Sequence, residues 1–265
     1  MAQHPREGEP AESAGRLASD IRDEAARLGN RLLAAGLAAR LMGGLAFWLR
    51  SPSVRVAPFA RAYADLDLVA TSRAAPGLKT LLEADGYRPD HFFNALHGAT
   101  RLFYAAPDGR WSIDVVLDHL AMSHRLDLRG RLMAPAPTLT LADLLLSKLQ
   151  VWEINRKDLG DALCLLADHP LTADDADVEG VSLARIRDVL GADWGFCHTV
   201  EGNLVKVAAL WAEAPLVAAR HDVASQVAAL QAAIAQAPKS LAWRSRARLG
   251  ERVRWYETPE EVGHS

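Results

Sequence analysis

Arg61-Ala62-Tyr63-Ala64-Asp65-Leu66-Asp67-Leu68-Val69 reads as an extended strand with two acids on one face. Successive side chains of a strand alternate, so Asp65 and Asp67 stand together while Leu66 and Leu68 point into a core. Two such anions repel each other unless a cation sits between them, and hard divalent ions take carboxylate oxygens. A third acid, Asp114, falls in Trp111-Ser112-Ile113-Asp114-Val115-Val116-Leu117, where apolar residues alternate with Ser112 and Asp114. If that strand pairs beside the first, three acids converge; the other reading of Asp114 is an edge-strand acid facing water. Asp118 ends the same run and is a secondary candidate for the cluster.

Working upstream, Leu37 to Leu49 is largely apolar around Gly43-Gly44. Glycine permits a tight turn and close approach of backbone to a ligand, as a phosphate-cradling loop requires, and equally permits close packing. Before it, Leu17, Ile21, Ala25, Leu28, Leu32 and Leu33 recur at helical steps from Ser13 and predict an amphipathic helix ending near Gly36. Residues 1–12 are polar and carry proline and glycine, so a disordered leader is expected.

Working downstream, residues 51–60 read as a loop, Pro76 to Ala84 as a helix stopped by Asp85-Gly86, and Arg101 to Ala106 as a strand. Pro107-Asp108-Gly109 is a turn signal into the Asp114 strand, with Asp108 as a turn residue. The expected core is therefore a small mixed sheet flanked by helices, an α/β (α+β) fold.

Leu141, Leu144, Leu145, Leu149 and Trp152 mark the buried stripe of another helix, from whose flank Lys148 can project toward a cleft or simply into solvent. Asp158 and Asp161 share a face of the next helix, Lys157 to Ala167. There they either orient Lys148 or Arg61 or face water, and Asn155 is a candidate N-cap. Leu183 to Leu190, Leu204 to Leu210 and His221 to Ala237 continue the helical pattern. Asp174-Asp175-Ala176-Asp177 reads as a solvated linker or helix start. The chain divides into a leader (1–12), a sheet-bearing core with its N-terminal helix (13–137), a helical domain (138–237) and a basic tail (238–265). In that tail Arg244, Arg246, Arg248, Arg252 and Arg254 interleave with Trp243, Trp255 and Tyr256. Such a segment suits RNA, through phosphate contacts and base stacking, or docking on an acidic face.

Composition narrows the function classes. Half of the 265 residues are hydrophobic, enough for a sizeable core, and the net charge of −3 argues against a protein that coats nucleic acid by bulk charge. Cys164 and Cys197 are too few for a disulfide framework and lack metal-ligand spacing. His91, His97, His119 and His124 are expected in loops without an i,i+4 pairing, so no zinc site is suggested. No run of about 18 apolar residues occurs, and a cytoplasmic protein without membrane partners is expected.

The order Gly43-Gly44, then Arg61 with Asp65-Leu66-Asp67, then Asp114 on a strand resembles the nucleotidyltransferase superfamily with the polymerase-β-like core. Leu141 to Gln150 followed by Arg156-Lys157-Asp158-Leu159-Gly160-Asp161 is similar to the helical part of AbiEii-type nucleotidyltransferases, among them toxins of bacterial abortive-infection systems. The resemblance spans about residues 37–170. It implies an enzyme moving a nucleoside monophosphate from a nucleoside triphosphate such as ATP to a hydroxyl, with Mg²⁺ or Mn²⁺ on Asp65, Asp67 and Asp114. It further implies nucleotide contacts from Gly43, Gly44, Arg61 and Lys148, an RNA or tRNA acceptor, and a cognate antitoxin as partner. Leu45 stands where that family has a small or hydroxyl residue, leaving backbone N–H groups for phosphate. The alternatives are a catalytically silent nucleotide- or RNA-binding module of the same fold, and an enzyme modifying a small molecule or a protein.

Overall fold

The computed structural model describes residues 20–258. The expected leader and the first turns of the helix predicted from Ser13 lie outside the described residues. Helix α1 (Ile21–Ala34) is capped by Asp20, whose carboxylate accepts the Arg22 N–H, and it buries Ala25, Leu28 and Leu32 at three- and four-residue spacing. Gly36, at φ +64°, turns the chain into strand β1 (Ala39–Met42), and helix α2 (Gly43–Arg50) follows directly. Leu37 to Leu49 is thus strand and helix, with Gly43 as the first helical residue, where the sequence left a glycine turn and close packing both open.

Strand β2 (Asp65–Ala70) starts four residues later than expected, because Arg61 to Ala64 are unpaired backbone. Helix α3 (Ala75–Ala84) ends at Asp85-Gly86, Gly86 having φ +89°. The short strand β3 (Arg88–Pro89) and helix α4 (His91–His97) come next, the latter capped by Asp90. Two of the histidines assigned to loops therefore bound a helix, and His119 lies in a strand. Strands β4 (Arg101–Ala105) and β5 (Ser112–Leu117) flank the Asp108 turn, in which Asp108 accepts the Arg110 N–H.

The five strands form one mixed sheet in the order β1-β2-β5-β4-β3. Only β2 and β5 are parallel neighbours, and their register sets Asp65 opposite Ser112 and Asp67 opposite Asp114. Leu66, Leu68, Ile113 and Val115 are fully buried on the other face, as alternation demands. Strand β5 lies between β2 and β4, so Asp114 is not an edge-strand acid. A small ribbon, β6 (His119–Ala121) with β7 (Arg125–Asp127), follows.

The second half is helical: α5 (Leu141–Leu149), α6 (Arg156–Asp168), α7 (Leu183–Ala192), α8 (Trp194–Glu213), α9 (Val223–Gln236) and α10 (Leu241–Ala247). Its buried leucines and those of the sheet form a continuous apolar core from Ala25 to Ile234. Two polar devices fix α5. Buried Asp143 accepts from Arg131 Nε (2.8 Å) and Arg185 Nε (2.7 Å), and Asn203 of α8 donates to the Leu149 and Val151 carbonyls just past the helix end. Trp152 leaves the leucine stripe and lies half-buried in the turn beyond α5. Among the described residues no helix is long and apolar enough to cross a membrane.

Candidate active site

Asp67 and Asp114 stand side by side at the floor of a cleft of about 500 Å³, walled by Gly43 and Met42 on one side and by Ser147, Lys148 and Asp158 on another. Asp65, two residues before Asp67 on the same face of β2, is exposed and does not line the cleft. Asp67 accepts no hydrogen bond among the described residues. Burial, with Asp65 and Asp114 adding repulsion, pushes its carboxyl up to about 7, against a smaller opposing pull from Lys148 and Arg101.

The glycine pair is explained by what lies against it. A Cβ on Gly43 would stand 1.8 Å from Asp67 Oδ2, and φ is +65° there, so glycine alone lets the start of α2 meet this carboxylate. A Cβ on Gly44 would meet Tyr63 Cε1 at 2.9 Å and Arg61 Nη2 at 3.0 Å. Gly44 thus serves the packing of Arg61 and Tyr63.

Lys148 is the cation across from Asp67. Its ammonium is hydrogen-bonded to Asp158 and lies 3.3 Å from Asp161 Oδ2, with 15% of the side chain exposed. Burial alone lowers its pKa, and Asp161 and Asp158 outweigh that, so the net direction is upward and the group stays charged. Asp161, fully buried, also receives both terminal nitrogens of Arg61, at 2.6 and 2.8 Å. Asp158 and Asp161 therefore face inward and orient both basic residues. Arg61 is held in a fork by Asp161 and stacked over Tyr63, which ties the entry of β2 to α6. Asn155 caps α6, accepting the Asp158 N–H and donating to the Asp158 carboxylate.

Arg101 is the residue that sequence reasoning missed. From the start of β4 its guanidinium grips Asp114 through two hydrogen bonds, the Nε contact being 2.7 Å. A signal was present. Laddering the hairpin back from the Asp108 turn pairs Phe103 with Asp114 and Arg101 with Val116, so Arg101 shares a face with Asp114 one diagonal step away.

Asp118 belongs elsewhere. At φ +65° it has left the strand alternation, and its carboxylate accepts the Ser72 N–H at 2.9 Å, which caps a turn rather than joining the acids. His124, expected in a loop, is buried against Phe196 and Thr199, and burial lowers its pKa to about 4. It does not face the cleft.

Five acids (Asp65, Asp67, Asp114, Asp158, Asp161) meet three cations (Arg61, Arg101, Lys148), so acids outnumber cations by two, with Asp67 only part-ionised near neutral pH. Among the described residues no group of three His, Cys, Asp or Glu side chains is gathered as a ready metal site, since Arg101 holds Asp114 and Asp65 faces solvent. Neither a scan against protein-family models nor a search of curated proteins returns a match, so the chemistry is argued from the cleft itself.

Proposed function

We propose that this chain is a metal-dependent nucleotidyltransferase that moves a nucleoside monophosphate from a nucleoside triphosphate to a hydroxyl acceptor. The observation that carries the reading is the parallel register setting Asp67 beside Asp114, against Gly43 and opposite the buried ammonium of Lys148. Asp67 and Asp114, with Asp65 on the same strand face, would hold Mg²⁺ or Mn²⁺ once Arg101 releases Asp114, and a carboxyl raised to about 7 ionises readily once a cation is near. A divalent ion held there would stabilise charge on the reacting phosphate and leaving pyrophosphate oxygens.

The chain's own residues supply the rest. Lys148, held by Asp158 and Asp161, presents a point charge for triphosphate oxygens. The start of α2 at Gly43-Gly44 offers backbone N–H groups and the positive end of a helix beside the same space. Arg101 keeps Asp114 neutralised until substrate arrives and on release becomes a second phosphate ligand. Asp114, once freed, would either accept the proton of an incoming hydroxyl or help hold the metal that lowers that hydroxyl's pKa.

A second reading, a nucleotide-binding module without chemistry, is favoured by the Arg101–Asp114 pair, which blocks the third carboxylate. Incubation with each of four α-³²P-labelled nucleoside triphosphates, Mg²⁺ and total RNA separates the two. The enzyme transfers label, and Asp65→Asn/Asp67→Asn reduces transfer by at least ~10²-fold, the scale of losing a preorganised electrostatic group. Label in RNA, in protein or in a small molecule names the acceptor. Nucleotide binding with no transfer in any fraction establishes the module. Growth arrest on expression of the chain alone, relieved by the same double substitution, would extend the reading to a toxin with a cognate antitoxin.

A further inference from the structure

We propose that the C-terminal segment, with α8 and the turn after α5, forms a stacking platform for the single-stranded end of an RNA acceptor. This inference rests on the transferase reading for its purpose, though not for its binding chemistry. Trp255 is the hub. Its ring meets Trp152 edge-on at 4.7 Å and His198 at 5.0 Å, and its Nε1 donates to Thr199 Oγ1 at 3.3 Å. Tyr256 stacks on the face of Trp152 at 5.2 Å, and Trp194 stacks on His198 at 4.9 Å. Trp194, Trp243, Trp255 and Tyr256 border an open groove of about 410 Å³, with Arg246 and Arg254 in its wall.

The arginines explain what the rings are for. Arg244, Arg246, Arg248, Arg252 and Arg254 form no ion pair among the described residues, and all but Arg246 are exposed. The only acid among them, Glu251, pairs with His198. The segment is anchored instead by Trp255 and by backbone: the Trp255 carbonyl lies where a Cβ on Gly195 would be 2.7 Å away, and Glu257 N–H donates to the Ser123 carbonyl at 3.0 Å. Docking on an acidic face, the other sequence expectation, therefore does not describe these contacts. Arg246 lies over the Trp194 ring at 4.8 Å and Arg254 over Tyr256 at 4.7 Å, each also donating to a backbone carbonyl, while Arg244, Arg248 and Arg252 are exposed. Guanidinium groups without carboxylate partners, two of them stacked on half-buried rings that bases can share or take over, are complementary to a strand of phosphates with unstacked bases.

The platform is also continuous with the cleft. Ala121, Met122 and Val151 line the acid cleft, and the very next residues, Ser123 and Trp152, hold the tail, with Trp152 N–H donating to Ser123 Oγ at 3.1 Å. The platform therefore adjoins the wall of the acid cleft, where the terminal ribose hydroxyls of a bound strand would have to reach.

The test is fluorescence anisotropy with a 5′-labelled 12-nucleotide unstructured RNA, titrated at several salt concentrations, with the matching DNA, an RNA duplex and heparin as competitors. Nucleotide binding to the cleft is measured in parallel as a check on folding. The expected result is RNA binding weakened at least tenfold in Arg244→Gln/Arg248→Gln/Arg252→Gln. The salt slope should fall by about 2 in that variant, as for three lost phosphate contacts. Tyr256→Leu should weaken binding without changing the slope, and nucleotide binding should be intact in both. Absence of RNA binding, equal competition by duplex or heparin with no effect of Tyr256→Leu, or preference for the DNA strand would each overturn the proposal. RNA binding without label transfer leaves the platform standing and removes the transferase. Transfer to a small molecule by a protein that does not bind RNA does the reverse.

Discussion

Two clusters of buried charge use the same residue types to opposite ends. Beneath α1, Glu24 and Asp85 are matched one for one by Arg27 and Arg31. Arg27 donates to Glu24 at 2.6 Å and to Asp85 at 2.9 Å, Arg31 lies 2.7 Å from Asp85, and the Tyr87 hydroxyl donates to Glu24 at 2.7 Å. In the cleft, five acids meet three cations, and the most buried of the strand acids, Asp67, has no hydrogen-bonding partner among the described residues. Charges that hold a fold together are paired within the chain. Charges left in excess at a cleft floor, on a strand otherwise well packed, are held there by the fold at a cost in stability, and that imbalance is what a cationic cofactor or substrate would relieve.

The largest effects should separate the clusters by sign. Asp85→Asn leaves the half-buried Arg31 without its carboxylate and Arg27 with Glu24 alone, and should destabilise the protein by about 2–3 kcal/mol in denaturant unfolding. Asp67→Asn should do the opposite in metal-free protein. Its folded pKa, about 7, lies above the ordinary value of 3.8, so ionisation opposes folding once pH rises above that ordinary value, and the penalty is complete above 7. The neutral amide should therefore stabilise the protein at pH 8 by up to ~4 kcal/mol, the free energy of about three pKa units, with the gain vanishing near pH 4. A loss of stability at pH 8 would mean that Asp67 is paired after all, and the contrast would fail.

A smaller effect compares two glycines with the same backbone geometry. Gly36→Ala (φ +64°, with nothing within 4 Å) should cost about 1 kcal/mol of strain and leave activity unchanged. Gly43→Ala (φ +65°) adds a clash with the Asp67 carboxylate, so it should lose a further ~1–3 kcal/mol and most transfer activity. Equal costs at the two positions would show that the cleft floor tolerates displacement. An effect on binding rather than on stability is expected at Arg101. Arg101→Gln frees Asp114 and should tighten Mn²⁺ binding, measured by titration calorimetry, about tenfold, equivalent to ~1.4 kcal/mol. Unchanged affinity would remove Asp114 from the metal site.

Much of this was legible in the chain because it is local. The Asp65/Asp67 alternation, the Asp108 turn, the stop at Gly86 and the Asn155 cap each depend on a few neighbouring residues, and each appears where the pattern puts it. Where the pattern misled, a longer-range partner decided. Gly43-Gly44 opens a helix instead of forming a bare loop because β1 and the Asp67 side chain brace it. Asp118 left the alternation because Ser72, far away in sequence, offered an N–H to cap. Arg101 went unnoticed because its partner is fixed by hairpin register, which no single segment displays.

The sequence by itself therefore determined the longer elements, the apolar faces they bury and the alternation that sets Asp65 and Asp67 on one face, since side-chain periodicity and capping act within a few residues. Only the tertiary structure decided that Asp67 faces Asp114 across a parallel pair, and that Asp161, a hundred positions from Arg61, binds it together with Lys148. Those juxtapositions come from how strands order in the sheet and how α5 and α6 pack beside it. Both are set by the burial of a shared core, which joins residues that no local pattern connects.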